Sequence, residues 1–207
     1  MFEVRVHGRG GQGVVTAAEL LSVAAFTEGR HAQAFPSFGA ERTGAPVEAY
    51  CRIAEHPIRL REPVRHPDAV IVQDAALRHH VDVFAGLVRG GYVLVNSLRD
   101  WSGLGLDSYG ERLRRNRTVI VPATDLALQH LGRPLPGAAL LGGFAALSGQ
   151  VGLDSVVAAI HGTFHGRAAQ GNVAAATAAY THVKAQLREP ARAAAGRSEA
   201  SWGLISV

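Results

Sequence analysis

Phe2-Glu-Val-Arg-Val-His-Gly8-Arg-Gly10-Gly-Gln-Gly13-Val-Val-Thr-Ala-Ala-Glu-Leu-Leu21 decides the architecture of this chain. Phe2–His7 alternates apolar and polar residues, the period of a half-buried strand. It stops at a glycine-rich turn, and Val14–Ala25 then carries apolar residues at helical spacing, ending near Gly29. Strand, glycine turn and helix together open an α/β unit. Further along, Pro46–Ile53 alternates as a strand, after a non-periodic stretch that follows Gly29. Ala69-Val-Ile-Val-Gln-Asp74 and Tyr92-Val-Leu-Val-Asn96 are β-branched runs, and the pattern between them predicts a helix over about Leu77–Val88. Thr118–Ala123 is one more buried strand, after which the character turns helical: Asp125–Leu131, Gly137–Ser148, Asp154–Phe164 with Asp154 as N-cap, and Asn172–Leu187. The expectation is an α/β fold: a mostly parallel, Rossmann-like sheet flanked by helices, with a helical C-terminal part.

Residues 1–187 form one domain in this reading, and 188–207 form a tail. The tail is rich in Ala, Arg, Ser and Gly and reads as disordered until its end. Trp202, Leu204 and Ile205 have nothing local to pack against, so they are either a frayed end or an anchor on a partner.

Composition excludes several classes. The longest apolar runs, such as Gly137–Ala146, are short and glycine-interrupted, which argues against a membrane span. No basic-then-apolar leader precedes Phe2, and a cytoplasmic protein is expected. A single cysteine, Cys51, rules out an internal disulfide and any iron–sulfur cluster held by this chain alone. The net charge of +4 comes from scattered arginines, and the one cluster, Arg112–Arg117, lacks interleaved aromatics, so nucleic acid is not an expected partner.

Gly8-Arg-Gly10-Gly-Gln-Gly13 satisfies the G-x-G-x-x-G spacing between a strand and a helix. Glycines let the backbone turn sharply and approach a ligand, and the helix N-terminus offers unpaired N–H groups to an anion. A dinucleotide site also wants an acidic residue about 20 residues on, where His31–Phe35 offers none. Close strand–helix packing is the plain alternative.

The glycine stretch gains meaning from its companion. His7–Leu21 is followed by Ala32-Gln-Ala-Phe-Pro-Ser-Phe-Gly-Ala-Glu-Arg-Thr-Gly-Ala-Pro-Val47, and the pair closely resembles the gamma subunit of pyruvate:ferredoxin oxidoreductase and related 2-oxoacid oxidoreductases. The likeness continues through Cys51-Arg-Ile53, Pro57-Ile-Arg59, Pro67–Asp74 and Val95-Asn-Ser97, then fades after Pro122, with Leu140–Ala146 and Asn172 in similar helical segments. Two departures stand out: Thr43 where relatives often carry a second basic residue, and the tail beyond Arg188.

The resemblance implies a subunit of an enzyme that cleaves a 2-oxoacid and passes the acyl group to CoA and electrons to ferredoxin. Thiamine diphosphate, Mg and 4Fe-4S clusters would lie on alpha, beta and delta partners or their fused equivalents. This chain would carry no catalytic residue and would help receive CoA. Candidate contacts are Arg9, Gly10, Gly11, Gln12 and Gly13 on the turn, and Ser37, Glu41 and Arg42 in the long loop Phe35–Gly44, which packs near the turn or against a partner. Phe35 and Phe38 as core residues are the bland alternative. Gln33–Phe38 and Gly44-Ala-Pro46 point to the pyruvate branch; oxoglutarate, branched-chain, indolepyruvate and phenylglyoxylate branches stay open, as does a free-standing CoA- or nucleotide-binding regulatory protein.

Other candidates carry less. Ser97 follows a strand without a G-x-S-x-G elbow. His161 and His165 have the one-turn spacing of metal ligands but no third partner, and read as a solvated or interfacial pair. His79 and His80 read as surface residues, and Cys51 as a buried structural thiol. Asp74, Asn96 and Ser97 end strands at the carboxyl edge, where open α/β sheets bind ligands, and Asp74 can equally cap the next helix.

Overall fold

A computed structural model describes residues 1–37, 43–106 and 115–200, with side chains over 1–37, 43–106 and 116–188. The elements, in chain order, are β1 (Phe2–Arg9), α1 (Val14–Thr27), β2 (His31–Pro36), β3 (Pro46–Ala54), β4 (Ala69–Val72), a 3₁₀ turn (Ala75–His79), β5 (Tyr92–Asn96), β6 (Thr118–Val121), α2 (Ala123–Leu131), α3 (Gly137–Ser148), α4 (Leu153–Thr163) and α5 (Gly166–Ala200). Six strands form one sheet in the order β2-β3-β1-β4-β5-β6. β1, β4, β5 and β6 run parallel, whereas β3 lies antiparallel between β1 and β2. The expected α/β sheet is therefore mixed, with a parallel half and an antiparallel half.

Helices cover one face. Val4, Val6, Ile71, Leu94 and Val121 point from the sheet into a core shared with α1, α3, α4 and α5. α3 is apolar all round, and its residues Ala138–Leu147 are all buried, the burial that such a helix requires. Its approach to α5 is close enough that a Cβ on Gly142 would land on the Ala176 backbone.

The opposite face has no α-helix among the described residues. Val70, Val72, Val93 and Val95 are capped there by Leu77, Val83, Phe84, Leu104 and Leu106 from irregular connections. Beneath β1 and β3 the same face is polar yet buried. Arg5 donates to the carbonyls of Val64, Val83 and Ala85. Arg52 pairs with Glu3 at 2.7 Å and donates to the carbonyls of Leu60 and Glu62. These bonds hold down segments that have no ladder of their own.

Four sequence expectations are corrected. The helix over Leu77–Val88 is replaced by the 3₁₀ turn and bends, because Asp74 caps a short turn and the chain must lay Leu77, Val83 and Phe84 on the sheet. The non-periodic stretch after Gly29 contains β2; its alternation was masked because the inward residues are the small Ala32 and Ala34. Asp154 is not the cap of α4: Gly152 holds that position, and Asp154 sits in the first turn, where its charge suits the helix dipole. α5 starts at Gly166 and continues to Ala200, so the tail from Glu189 begins as helix, consistent with the helix propensity of its Ala and Arg residues. Trp202, Leu204 and Ile205 lie outside the described residues.

Candidate functional site

The chain leaves β1 toward the helix face, into α1, but leaves β4 toward the opposite face, into the 3₁₀ turn. Neighbouring parallel strands whose connections diverge open a crevice at their carboxyl ends, the switch point where ligands of open α/β sheets bind. The glycine turn stands at this crevice.

Gly11 at φ +91° and Gly13 at φ +73° take left-handed backbone that side chains disfavour, which explains the residue choice. Gly13 is the N-cap of α1, with no side-chain cap and no acidic residue in the first turn. The first N–H groups of the helix are thus left without side-chain partners, ready for an anion. A Cβ on Gly13 would meet nothing within 4 Å, so the turn faces open space.

Loop and turn are zipped together. Gly10 N–H donates to the Ala45 carbonyl at 2.9 Å, and Gly44 N–H donates to the Gly10 carbonyl at 3.1 Å. Gln12 uses Oε1 to accept from Arg9 N–H at 2.8 Å, tightening the turn. Arg9 Nε donates to Asp74 Oδ2 at 2.6 Å and its Nη1 to the Gly44 carbonyl at 3.0 Å. Arg9 is therefore a clasp between turn, loop and β4. Asp74 does double duty, since its Oδ1 also caps the 3₁₀ turn through Ala76 N–H. Ser37 stands farther along the same edge, donating its N–H to the Glu48 carbonyl opposite His7. Glu41, Arg42 and Phe38 lie outside the described residues.

Asn96 was an open alternative in the sequence and proves to be a tie. Its amide donates to the Gln73 carbonyl and to Thr124 Oγ1, and its Oδ1 accepts from Thr124 N–H, binding β4, β5 and α2 together. Ser97 caps the following bend through Arg99 N–H.

Gln73, the residue before Asp74, belongs to no site motif in the sequence. Gln73 is buried, and neither Oε1 nor Nε2 has a hydrogen-bond partner. Such orphaned atoms cost about 1–3 kcal/mol each, so the residue type is not explained by packing. The signal was available: a glutamine ends an otherwise apolar strand run, Ala69–Val72.

A buried relay runs below the turn. Arg5 Nε donates to His7 Nε2 at 3.0 Å, while His7 Nδ1 lies 3.5 Å from Glu48 Oε1. Glu48 Oε2 accepts from the Tyr50 hydroxyl at 2.8 Å. Desolvation, opposed by Glu48 and helped by Arg5, lowers the His7 pKa to about 4, so the ring is neutral. Burial pushes the Cys51 thiol up to about 12, which makes it an inert core group. Phe35 is half-buried, 5.2 Å from the Tyr50 ring and under the Arg52 guanidinium. His161 and His165 are both exposed, and α4 ends at Thr163, so they do not share a helix face. His79 and His80 are exposed as expected. Among the described residues no group of three His, Cys, Asp or Glu is placed to hold a metal, and no helix is long and apolar enough to cross a membrane.

Residues 3–182 match the family model described as pyruvate ferredoxin/flavodoxin oxidoreductase. The chain is 45% identical over 184 residues to pyruvate synthase subunit PorC of Methanothermobacter marburgensis, covering 89% of this chain and 98% of that one. It is 46% identical over 182 residues to the pyruvate/ketoisovalerate oxidoreductases common subunit gamma of Pyrococcus abyssi, covering 87% and 96%. Among solved structures, pyruvate oxidoreductase subunit PORC from Thermotoga maritima superposes with a TM-score of 0.73 at 35% identity, covering 87% of this chain and 95% of that one. The chain belongs to the pyruvate ferredoxin/flavodoxin oxidoreductase family, among its gamma-type subunits.

Proposed function

We propose that this chain helps receive CoA in a multi-subunit 2-oxoacid:ferredoxin oxidoreductase, with pyruvate, CoA and oxidised ferredoxin converted to acetyl-CoA, CO2 and reduced ferredoxin. One observation carries the reading: the uncapped N-terminus of α1, opened by left-handed glycines, faces the switch point of the sheet. Phosphates are the natural guests of such a turn. CoA supplies the acyl acceptor thiol; this chain's residues would bind its phosphates and orient it. Gly10–Gly13 offer the backbone donors, while Arg9 is already paired with Asp74 and acts by holding the turn to the loop.

The family resemblance implies thiamine diphosphate, Mg and 4Fe-4S clusters on alpha, beta and delta partners, and for the clusters the single buried cysteine of this chain supports that reading. A relative named as common to pyruvate and ketoisovalerate oxidoreductases supports placing oxoacid choice on other subunits.

The test is Gly13→Ala in the assembled enzyme. The methyl group enters open space at the helix N-terminus, and the left-handed backbone costs about 1–2 kcal/mol. The KM for CoA is expected to rise about tenfold or more, the scale of a lost charge-assisted hydrogen bond, with the oxoacid half-reaction intact. An unchanged KM for CoA in a normally assembled enzyme removes the turn from the CoA site.

A further inference from the structure

The two edges of the sheet are finished differently. β6 closes one edge: three of its four residues are buried, and Gln186 of α5 donates from Nε2 to the outward carbonyl of Ile120 at 2.9 Å. β2 ends the other edge, and none of its six residues is buried. Its ladder to β3 runs unbroken from His31 opposite Ala54 to Pro36 opposite Ala49, and Ser37 N–H continues it by donating to the Glu48 carbonyl. Antiparallel rungs alternate, so His31, Gln33 and Phe35 turn their amides to β3, while Ala32 and Ala34 turn theirs outward. Among the described residues nothing hydrogen-bonds to those outward amides. Proteins usually blunt such an edge with a lysine, a bulge or a covering element. β2 has neither lysine nor bulge, and Pro36 sits at its end with the nitrogen outward, where it costs the ladder to β3 nothing.

We propose that β2 pairs antiparallel with β2 of a second copy of this chain, joining two sheets into one across a two-fold axis. The strand is its own complement. With Ala32 set opposite Ala34 of the second copy, the outward N–H and C=O groups of both alanines are paired in both chains. Gln33 then faces Gln33 of the second copy at the axis, a neutral pair. Arg30 and His31, the basic residues at the start of the strand, are carried to opposite ends of the ribbon, so no like charges meet. A strand of another sequence would have to match this spacing by its own residues, whereas a second copy matches it by symmetry. The axis stands perpendicular to the sheet, which brings the two α1 helices, each packed on its β2, to the same face. Edge pairing alone buries less than the roughly 1,200 Å² of a stable interface. Val23 and Phe26, 45% and 72% exposed on α1, supply further apolar area on that face.

The experiment follows the full-length chain by sedimentation equilibrium over a wide range of concentration, with amide exchange of Ala32 and Ala34 read at both ends of the range. Wild type is expected to dimerise, and both amides should exchange fast in the dilute monomer and slowly in the dimer. Ala34→Pro removes an outward N–H and no bond to β3, so it should keep its circular dichroism and dimerise about tenfold or more weakly, one bond being lost from each copy. Gln33→Glu and Gln33→Lys each place like charges at the axis and should each dimerise more weakly than wild type, whereas an equimolar mixture of the two should restore the dimer. That rescue cannot come from a folding defect, so it decides the matter even where the proline variant misfolds. Wild type that stays monomeric at the highest concentration overturns the proposal, as does a dimer in which both amides exchange as fast as in the monomer. A folded Ala34→Pro chain that dimerises like wild type, or a charge mixture no tighter than its components, overturns it too. Protection of both amides only in the assembled enzyme, with the free chain monomeric, overturns it in favour of a strand from another subunit.

Discussion

The two faces of this sheet are built by different physics. On the helix face, Phe144, Leu21, Leu141 and Ile160 are fully buried, and stability comes from apolar area removed from water. On the other face, beneath β1 and β3, the buried residues include Arg5, His7, Tyr50 and Arg52. There the covering segments are irregular, so their carbonyls need donors, and long guanidinium side chains supply them. A strand can thus read as one-sided in its apolar pattern and still be buried on both sides, if its polar residues are needed to tie down loops.

The contrast can be broken from its strongest side first. Phe144→Ala on the helix face should cost about 4 kcal/mol, because a large side chain with no exposed surface leaves a cavity in a helix-packed core. Denaturant unfolding of the full chain measures it, and a loss below about 2 kcal/mol would mean that the face relaxes around the gap. Acid sharpens the polar side. His7 is neutral in the fold, with its pKa near 4 against 6.5 in the unfolded chain. The unfolded chain therefore binds the extra proton, and stability is fully present above pH 6.5 and lost as pH falls toward 4. The loss from this residue should approach about 3 kcal/mol. Melting curves of wild type and His7→Gln across that range test it: the variant should show a shallower decline, and parallel curves would refute the assignment. The smallest effect is expected from Arg5→Met, about 2 kcal/mol, because the stem still packs and the irregular covers can open to let water replace the donor at the three carbonyls and at His7 Nε2. Hydrogen exchange should show the loosening first near Val64 and Val83–Ala85. A uniform loss of protection over the whole sheet would show that Arg5 supports the core rather than the covers.

The candidate site divides along a similar line. Gly8–Gly13 was legible because glycine spacing between a strand and a helix encodes a backbone shape directly, and Gly11 and Gly13 do adopt the left-handed conformation. Arg9 was legible as a charged residue beside a possible phosphate but not in its role, because its partner Asp74 is 65 residues away in sequence. Gln73 and Gly137 were not legible as neighbours at all. Each looks unremarkable in its own segment, and only the packing of α3 against α1 brings them together. β2 escaped notice since alanine carries too little hydrophobic contrast to display a period of two.

What the amino-acid order determined alone is whatever depends on near neighbours: the parallel strands from β-branched runs, α3 from its unbroken apolar stretch, and the glycine turn from its spacing. Family kinship was legible too, through two long motifs at a fixed separation. Tertiary structure decided the rest. It placed β3 antiparallel between β1 and β2, which separates the strands that a dinucleotide fold would set side by side. It turned Arg5 and Arg52 inward, and it left the Gln73 amide without a partner. The physical reason is that local conformation follows steric and periodic preferences within a few residues. Strand order and buried hydrogen bonding instead depend on groups as far as 49 and 78 positions apart, whose meeting no short window of sequence records.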